Sequence, residues 1–134
     1  MSKRVFDVLS KTKQNQVLRE GAERVKIRVL KALRPGDVVV SGAARGPDTW
    51  GVAAARAVGH DTDEIPADWD TLGKGAGFAR NTTIAERADG VLAFWDGESR
   101  GTRDTMDKAS AMGKPVVVVY GDGFEELWNR ERVR

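Results

Sequence analysis

The sequence predicts an α/β protein, a three-layer sandwich with a mostly parallel sheet of about five strands. Three observations carry that prediction. Val38–Val40, Val91–Trp95 and Val116–Val119 are unbroken apolar runs, as strands buried on both faces require. Segments of helical period lie between them. Strands that alternate with helices need parallel crossovers.

The elements follow in order. Val5–Leu9 is a short strand candidate, with Asp7 awkward inside it. Gln14–Leu33 predicts a helix, because Leu18, Ala22, Val25, Val29 and Leu33 recur at spacings of three and four. Gly21 weakens that helix by about 1 kcal/mol relative to alanine. Arg34-Pro35-Gly36-Asp37 ends it and turns the chain into the Val38–Val40 strand. Gly42–Gly46 is a loop, Pro47 suits a first helical turn, and Thr49–Val58 is a helix of small residues. Thr62–Ile65 reads as a polar strand near an edge, and 66–78 as a long loop. Arg80–Ala88 is a helix, Val91–Trp95 a buried strand, Asp96–Gly101 a loop and Thr102–Met112 a helix. Val116–Val119 is the last buried strand, and Phe124–Glu131 a terminal helix.

Composition narrows the chemistry. The 134 residues form one expected domain, 1–134. Cysteine is absent, which excludes disulfides and thiolate chemistry. A single histidine, His60, argues against multi-histidine metal sites and a Ser-His-Asp triad; it reads as a surface residue. No apolar run approaches the roughly 18 residues of a membrane span. Asp7 and Lys11 interrupt any signal-peptide stretch. The expectation is a soluble, cytoplasmic protein with no membrane partner, no metal and no bound cofactor. Charge is lopsided: residues 1–34 sum to +7 and the remainder to −5. That basic third is either a solvated helix face or a surface for nucleic acid or another subunit.

In parallel α/β sheets ligands sit at the carboxyl ends of the strands. Three constellations fall there. The first is Ser41 to Thr49, in which Gly42, Ala43 and Gly46 let the backbone approach a ligand and Arg45 adds a charged contact. Its following helix N-terminus suits phosphate, whereas Asp48 suits a ribose hydroxyl or complements the helix dipole. A plain strand-to-helix turn explains the same residues. The second is Asp96 to Asp104. Gly101 and Thr102 offer N–H groups and a hydroxyl to phosphate, with Arg100 and Arg103 to neutralise it. The alternative is that Ser99 or Thr102 only caps the helix. The third is Asp68-Trp69-Asp70 with Lys74 to Asn81. Trp69 either stacks on a base or packs under the loop. Arg80 either reaches a phosphate or glycosidic bond, or pairs with Asp68 or Asp70. Without Cys or a usable His, a carboxylate could act as nucleophile or general acid, and Asp48, Asp68, Asp70, Asp96, Glu98 and Asp104 all lie near the expected edge, unpaired by the sequence. Among the aromatics, Phe94 or Trp95 is expected in the core, and Trp128 and Phe124 to pin the terminal helix.

The stretches VVVSGAARGPDTW, PADWDTLGKGAGFARN and ADGVLAFWDGESRGTRDTMDKASAMGKPV, over about residues 38–119, together resemble the SLOG superfamily, most of all its YspA-like branch. That superfamily includes LOG-type phosphoribohydrolases and the Smf/DprA proteins. The resemblance implies a Rossmann-like sheet binding a nucleotide or nucleotide-derived ligand, as a sensor or a weak N-glycosidic hydrolase. It implies that Gly42 and Gly46 are the glycines of the second-strand loop. Gly101-Thr102 becomes the phosphate cradle, and Arg80 the arginine beside the glycosidic bond, with Asn81 next to it. Two departures stand out. The position of the LOG-type glutamate is Thr105, with Asp104 adjacent, and the usual Gly-Ser-Arg strand end reads Leu9-Ser10-Lys11. The Smf/DprA kinship makes a DNA-binding module the alternative. A homodimer through helix 14–33 is a further expectation.

Overall fold

A computed structural model describes residues 5–6, 8–9, 15–42 and 47–128, with side chains from Gly21 to Gly42 and from Thr49 to Trp128. The strands are β1 (Val5–Phe6), β2 (Val8–Leu9), β3 (Val38–Ser41), β4 (Asp61–Glu64), β5 (Val91–Phe94), β6 (Val116–Val119) and β7 (Glu125–Leu127). The helices are α1 (Asn15–Ala32), α2 (Pro47–Ala57), α3 (Trp69–Leu72), α4 (Ala76–Arg87) and α5 (Arg100–Ala111).

The fold is mixed α/β, but the strands fall into two small sheets rather than the one sheet expected. One has the order β1-β3-β4 and the other β2-β5-β6-β7. The expected first strand is divided. Val5 and Phe6 pair with Val38 and Val39, while Val8 and Leu9 pair with Leu92 and Ala93. Asp7 lies outside the described residues. All pairings are parallel except that of β7, which runs antiparallel to β6.

Side chains of the buried strands alternate between two helix layers, as a pleated strand requires. Val91, Ala93 and Trp95 pack with Ile84 of α4 and Met106 and Ala109 of α5. Leu92 and Phe94 pack with Val25 and Val29 of α1. Both Phe94 and Trp95 are therefore core residues. Val39 faces α2 through Val52 and Ala55, while Val40 joins Ile84 on the opposite face. Helix α4 thus packs on strands of both sheets.

Helix α1 keeps the expected stripe at Val25 and Val29, each at most 4% exposed. Its end is closed by Asp37, whose carboxylate accepts from the Arg34 N–H at 2.7 Å. His60 is half-buried rather than on the open surface. Its Nδ1 lies 2.9 Å from the Asp37 carbonyl and ties this turn to the end of α2. Part of the basic face is engaged within the chain. Arg28 grips the Glu125 carboxylate through Nε at 2.7 Å and Nη2 at 3.1 Å, and Arg24 donates to the Gly121 carbonyl.

Two expected elements differ. The 66–78 loop contains α3, a 3-10 turn over Gly73–Gly75 and the first residues of α4, which starts at Ala76. Asp68 caps α3 by accepting from the Thr71 N–H at 3.2 Å. Ala76 is 1% exposed, so burial begins α4 where the glycine-rich composition suggests a loop. The expected terminal helix is instead β7 through residue 127. A turn at Tyr120–Phe124, with Gly123 at φ +89°, folds the chain back onto the open edge of β6. Sheet pairing there overrides helical spacing. Trp128 still anchors this end, packed edge-on against Trp95 and donating from Nε1 to Asp107 at 2.9 Å. Phe124 does not: it is 60% exposed and stacks on Tyr120. No helix of the described residues is long and apolar enough to cross a membrane.

Candidate functional site

In one sheet β3 and β4 follow β1, and in the other β5, β6 and β7 follow β2. The strand order reverses where the chain crosses from β4 to β5 through α3 and α4. Such a reversal, outside the carboxyl ends of the strands, is where α/β sheets open a ligand crevice. Helix α4 carries Arg80 and Asn81 in its second turn at that edge.

These two residues hold the two loop ends together. Arg80 Nη1 donates to the carbonyl of Gly42, just past β3, at 3.0 Å. Asn81 Nδ2 donates to the carbonyl of Gly101, at the start of α5, at 3.1 Å. Asn81 is 2% exposed. Among the described residues no ion pair joins Arg80 to Asp68 or Asp70. Gly42 has a specific reason to be glycine. A β-carbon there would lie 3.0 Å from Cδ and Nε of Arg80 and 3.1 Å from Cζ, tighter than such contacts normally run.

The start of α5 is built from β5 onward. Trp95 Nε1 donates to the Ser99 carbonyl at 3.0 Å, and Asp96 Oδ1 accepts the N–H groups of Glu98 and Ser99 at 2.8 Å. Ser99 is the cap, accepting from the Thr102 N–H and from the Thr102 hydroxyl at 3.1 Å. The capping reading of Ser99 therefore holds. Thr102 is 5% exposed with its hydroxyl turned to that cap. Arg100 and Gly101 are exposed, and nothing lies within 4 Å of a β-carbon placed on Gly101. Their N–H groups fall in the first turn, where a helix supplies no acceptor of its own. Anions are favoured at such an end.

Asp104 is held on both sides. Its Oδ2 accepts from Asn81 Nδ2 at 3.1 Å and from Lys108 Nζ at 2.9 Å. Lys108 also donates to the Phe78 carbonyl and lies 5.8 Å from that ring's centre. Lys108 escapes a reading of motifs, although its spacing four after Asp104 is that of a helical ion pair. Thr105 is fully buried, its hydroxyl 3.4 Å from the Gly101 carbonyl. Trp69 does not pack under the loop: it is 58% exposed and only its ring edge nears Gly77. Phe78, 53% exposed, and Leu72, 51% exposed, are its neighbours in sequence on the same segment. Ala43, Arg45 and Gly46 lie outside the described residues, as does the side chain of Asp48. Among the described residues no cluster of three His, Asp or Glu side chains is placed to hold a metal ion.

No protein-family model matches the chain. It is 43% identical over 96 residues to the Gene 61 protein of Mycobacterium phage D29, covering 65% of this chain and 74% of the phage protein. Its structure is similar to that of DNA processing protein A (DprA) from Streptococcus pneumoniae. The TM-score is 0.66 at 23% identity, over 87% of this chain and 50% of that one. The chain thus spans half the length of that DprA chain. It is also similar to the Moco carrier protein from Chlamydomonas reinhardtii, with a TM-score of 0.61 at 21% identity over 87% of this chain and 76% of the other.

Proposed function

The chain belongs to the family of the phage D29 Gene 61 protein and has the fold of the SLOG superfamily, and on that premise we propose that it binds a nucleotide or nucleotide-derived ligand at the carboxyl edge of its sheets. The observation that carries this reading is the pair Arg80–Asn81, which ties Gly42, just past β3, and Gly101, at the start of α5, to consecutive residues of α4. In it the N–H groups of Arg100 and Gly101 take a phosphate, with Arg100 adding charge. The exposed face of Trp69 stacks on the base. Thr102 keeps the cradle in shape through Ser99, and Ala43, Arg45, Gly46 and Asp48 add further contacts. Arg80 places its charge over the sugar.

Binding without turnover is the favoured form. A general base needs a free carboxylate within reach of water, and Asp104 shares its oxygen with Asn81 and Lys108. In a hydrolytic form Asp104 would have to leave Lys108 to take a proton from the water that bonds to the sugar carbon, while Arg80 stabilises the charge that develops on the base as the bond to it breaks. Thermal shift with AMP, GMP and ADP-ribose tests the reading, followed by an assay for released base in the same tube. A ligand at about a hundred times its dissociation constant raises stability by about 2.7 kcal/mol. No shift with any of the three, in a folded protein, contradicts the reading.

A second reading is DNA binding. It is favoured by the similarity to a DNA processing protein and by the exposed Lys26 and Lys31 on α1 and Arg34 just past its end. Its signature is an affinity for single-stranded DNA that falls steeply with salt.

A further inference from the structure

The segment between β4 and α4 is bare of cover. Residues 68–75 are all exposed, and neither α3 nor the 3-10 turn has a buried residue. Yet Trp69 and Leu72 lie on it with over half their surface in solvent, and Phe78 follows in the first turn of α4. Neighbouring apolar side chains left bare mark interaction sites. The hydrogen bonds of the segment are local. Asp68 accepts from the N–H groups of Thr71 and Leu72, through its carboxylate and its carbonyl. Gly73 and Ala76 donate to the carbonyls of Trp69 and Gly73. Among the described residues no hydrogen bond or ion pair joins 66–75 to a strand or to α1, α2 or α5. A segment held so locally opens at little cost in free energy.

Its two ends are fixed, both beside the candidate site. At one end the Ile65 N–H donates to the Ser41 carbonyl at 2.7 Å, next to Gly42. Ile65 also packs against the core that α4 and α5 share. At the other end Ala76 is buried, and Lys108 Nζ holds the Phe78 carbonyl at 2.9 Å. Gly77 comes three residues before Arg80 and four before Asn81, so the three share one face of α4. The Trp69 ring reaches that face, 3.5 Å from where Gly77 would carry a β-carbon. The segment thus begins beside Gly42 and ends beside the arginine that bonds the Gly42 carbonyl. Between the fixed ends Gly73 has φ +57°, and nothing lies within 4 Å of a β-carbon placed on Gly73 or Gly75. Such positions absorb a backbone rotation without a clash.

We propose that residues 66–75 form a strap that closes over the bound ligand, turning on Gly73 and Gly75 and burying Trp69 and Leu72. Closure in this form rests on the nucleotide-binding reading and adds regulation to the same site. The nucleotide completes the cover, because its base offers Trp69 a flat face to stack on. Closing then shields the contacts of Arg80 and Arg100 from water and slows release. Lys108 keeps the α4 end still while the strap moves.

The test is hydrogen–deuterium exchange of the full chain, free and saturated with AMP, read by mass spectrometry. In the free protein the amides of 69–75 should exchange within about tenfold of an unfolded chain, and those of 82–87 in α4 about a hundredfold slower or more. AMP should slow 69–75 by about tenfold or more. Leu72→Ser gives a second readout. It alters a side chain that is exposed while the strap is open, so melting should not move, whereas AMP should dissociate about tenfold faster. Protection of 69–75 in the free protein equal to that of α4 overturns the strap. So does AMP that saturates the protein without slowing 69–75, or that leaves Leu72→Ser at the unmodified rate. Each of these results leaves the nucleotide reading intact. Binding of none of AMP, GMP and ADP-ribose overturns both.

Discussion

The side chain of Arg80 crowds the position where Gly42 would carry a β-carbon. Nη1 donates to the Gly42 carbonyl at 3.0 Å, while Cδ and Nε occupy the space a methyl group would need. The glycine after β3 therefore makes room for a side chain from α4. Gly42→Ala should push Arg80 out of place. The flexible arginine can yield, so the stability cost should stay near the low end of overpacking, about 1 kcal/mol. Nucleotide affinity should fall about tenfold or more, because the charge no longer sits over the sugar. Thermal melting and titration with AMP separate the two effects. A variant with unchanged affinity would mean that Arg80 does not act from this position.

Asn81 joins α4 to α5 from inside the protein, and its loss should be felt as stability. Asn81→Ala removes the bonds to Gly101 and Asp104 and leaves both acceptors short of a donor. The expected cost is about 1–3 kcal/mol in chemical denaturation. Combined with Asp104→Ala, the loss should be less than the sum of the single losses, since both act on one network. Strict additivity would contradict the shared cluster.

The strands that hold the core were plain in the sequence, and the elements at the margins were not. Val91–Phe94 is buried throughout and Val116–Val119 is buried at alternate residues, and both are apolar runs whose chemistry permits little else. The α1 stripe at Val25 and Val29 follows directly from spacing. The α3–α4 segment was hidden because three glycines within five residues weigh against a helix, while the decisive term is burial of Ala76. The β7 strand was hidden because Glu125 and Glu126 give no strand signal; the open edge of β6 decides it. Arg80, Asn81 and Gly101 stood in the motifs, but their mutual bonds did not, because residues from two loops and a helix meet only through the fold.

Tyr120 offers a pH test of the β6–β7 corner. Its phenol is pushed up from 10.0 to about 12 by burial, by its hydrogen bond with Glu126 and by that carboxylate's charge. A raised folded value means that the stabilisation is fully present below pH 10 and is lost as pH rises through about 12. The chain has one tyrosine, so ultraviolet titration reads it alone. Glu126→Gln should bring the midpoint down. A midpoint near 10 in the unmodified protein would contradict this packing.

Trp128 closes the same corner, resting edge-on against Trp95 at 5.4 Å between ring centres and donating to Asp107. Trp128→Ala should cost about 3–5 kcal/mol by the cavity it leaves. Trp128→Phe should cost less, since it keeps the ring contact and loses only the bond to Asp107. Equal losses in denaturant melts would show that the ring contact contributes little.

The central claim is that one site, gathered by Arg80 and Asn81 between Gly42 and Gly101, takes a nucleotide-type ligand. The most direct measurement is parallel titration of the unmodified protein and Arg80→Ala with AMP and with a short single-stranded DNA. The account predicts saturable AMP binding that weakens about tenfold or more in the variant, with both proteins melting alike within about 1 kcal/mol. AMP binding that is absent, or indifferent to Arg80, alongside tight and salt-dependent DNA binding would contradict it.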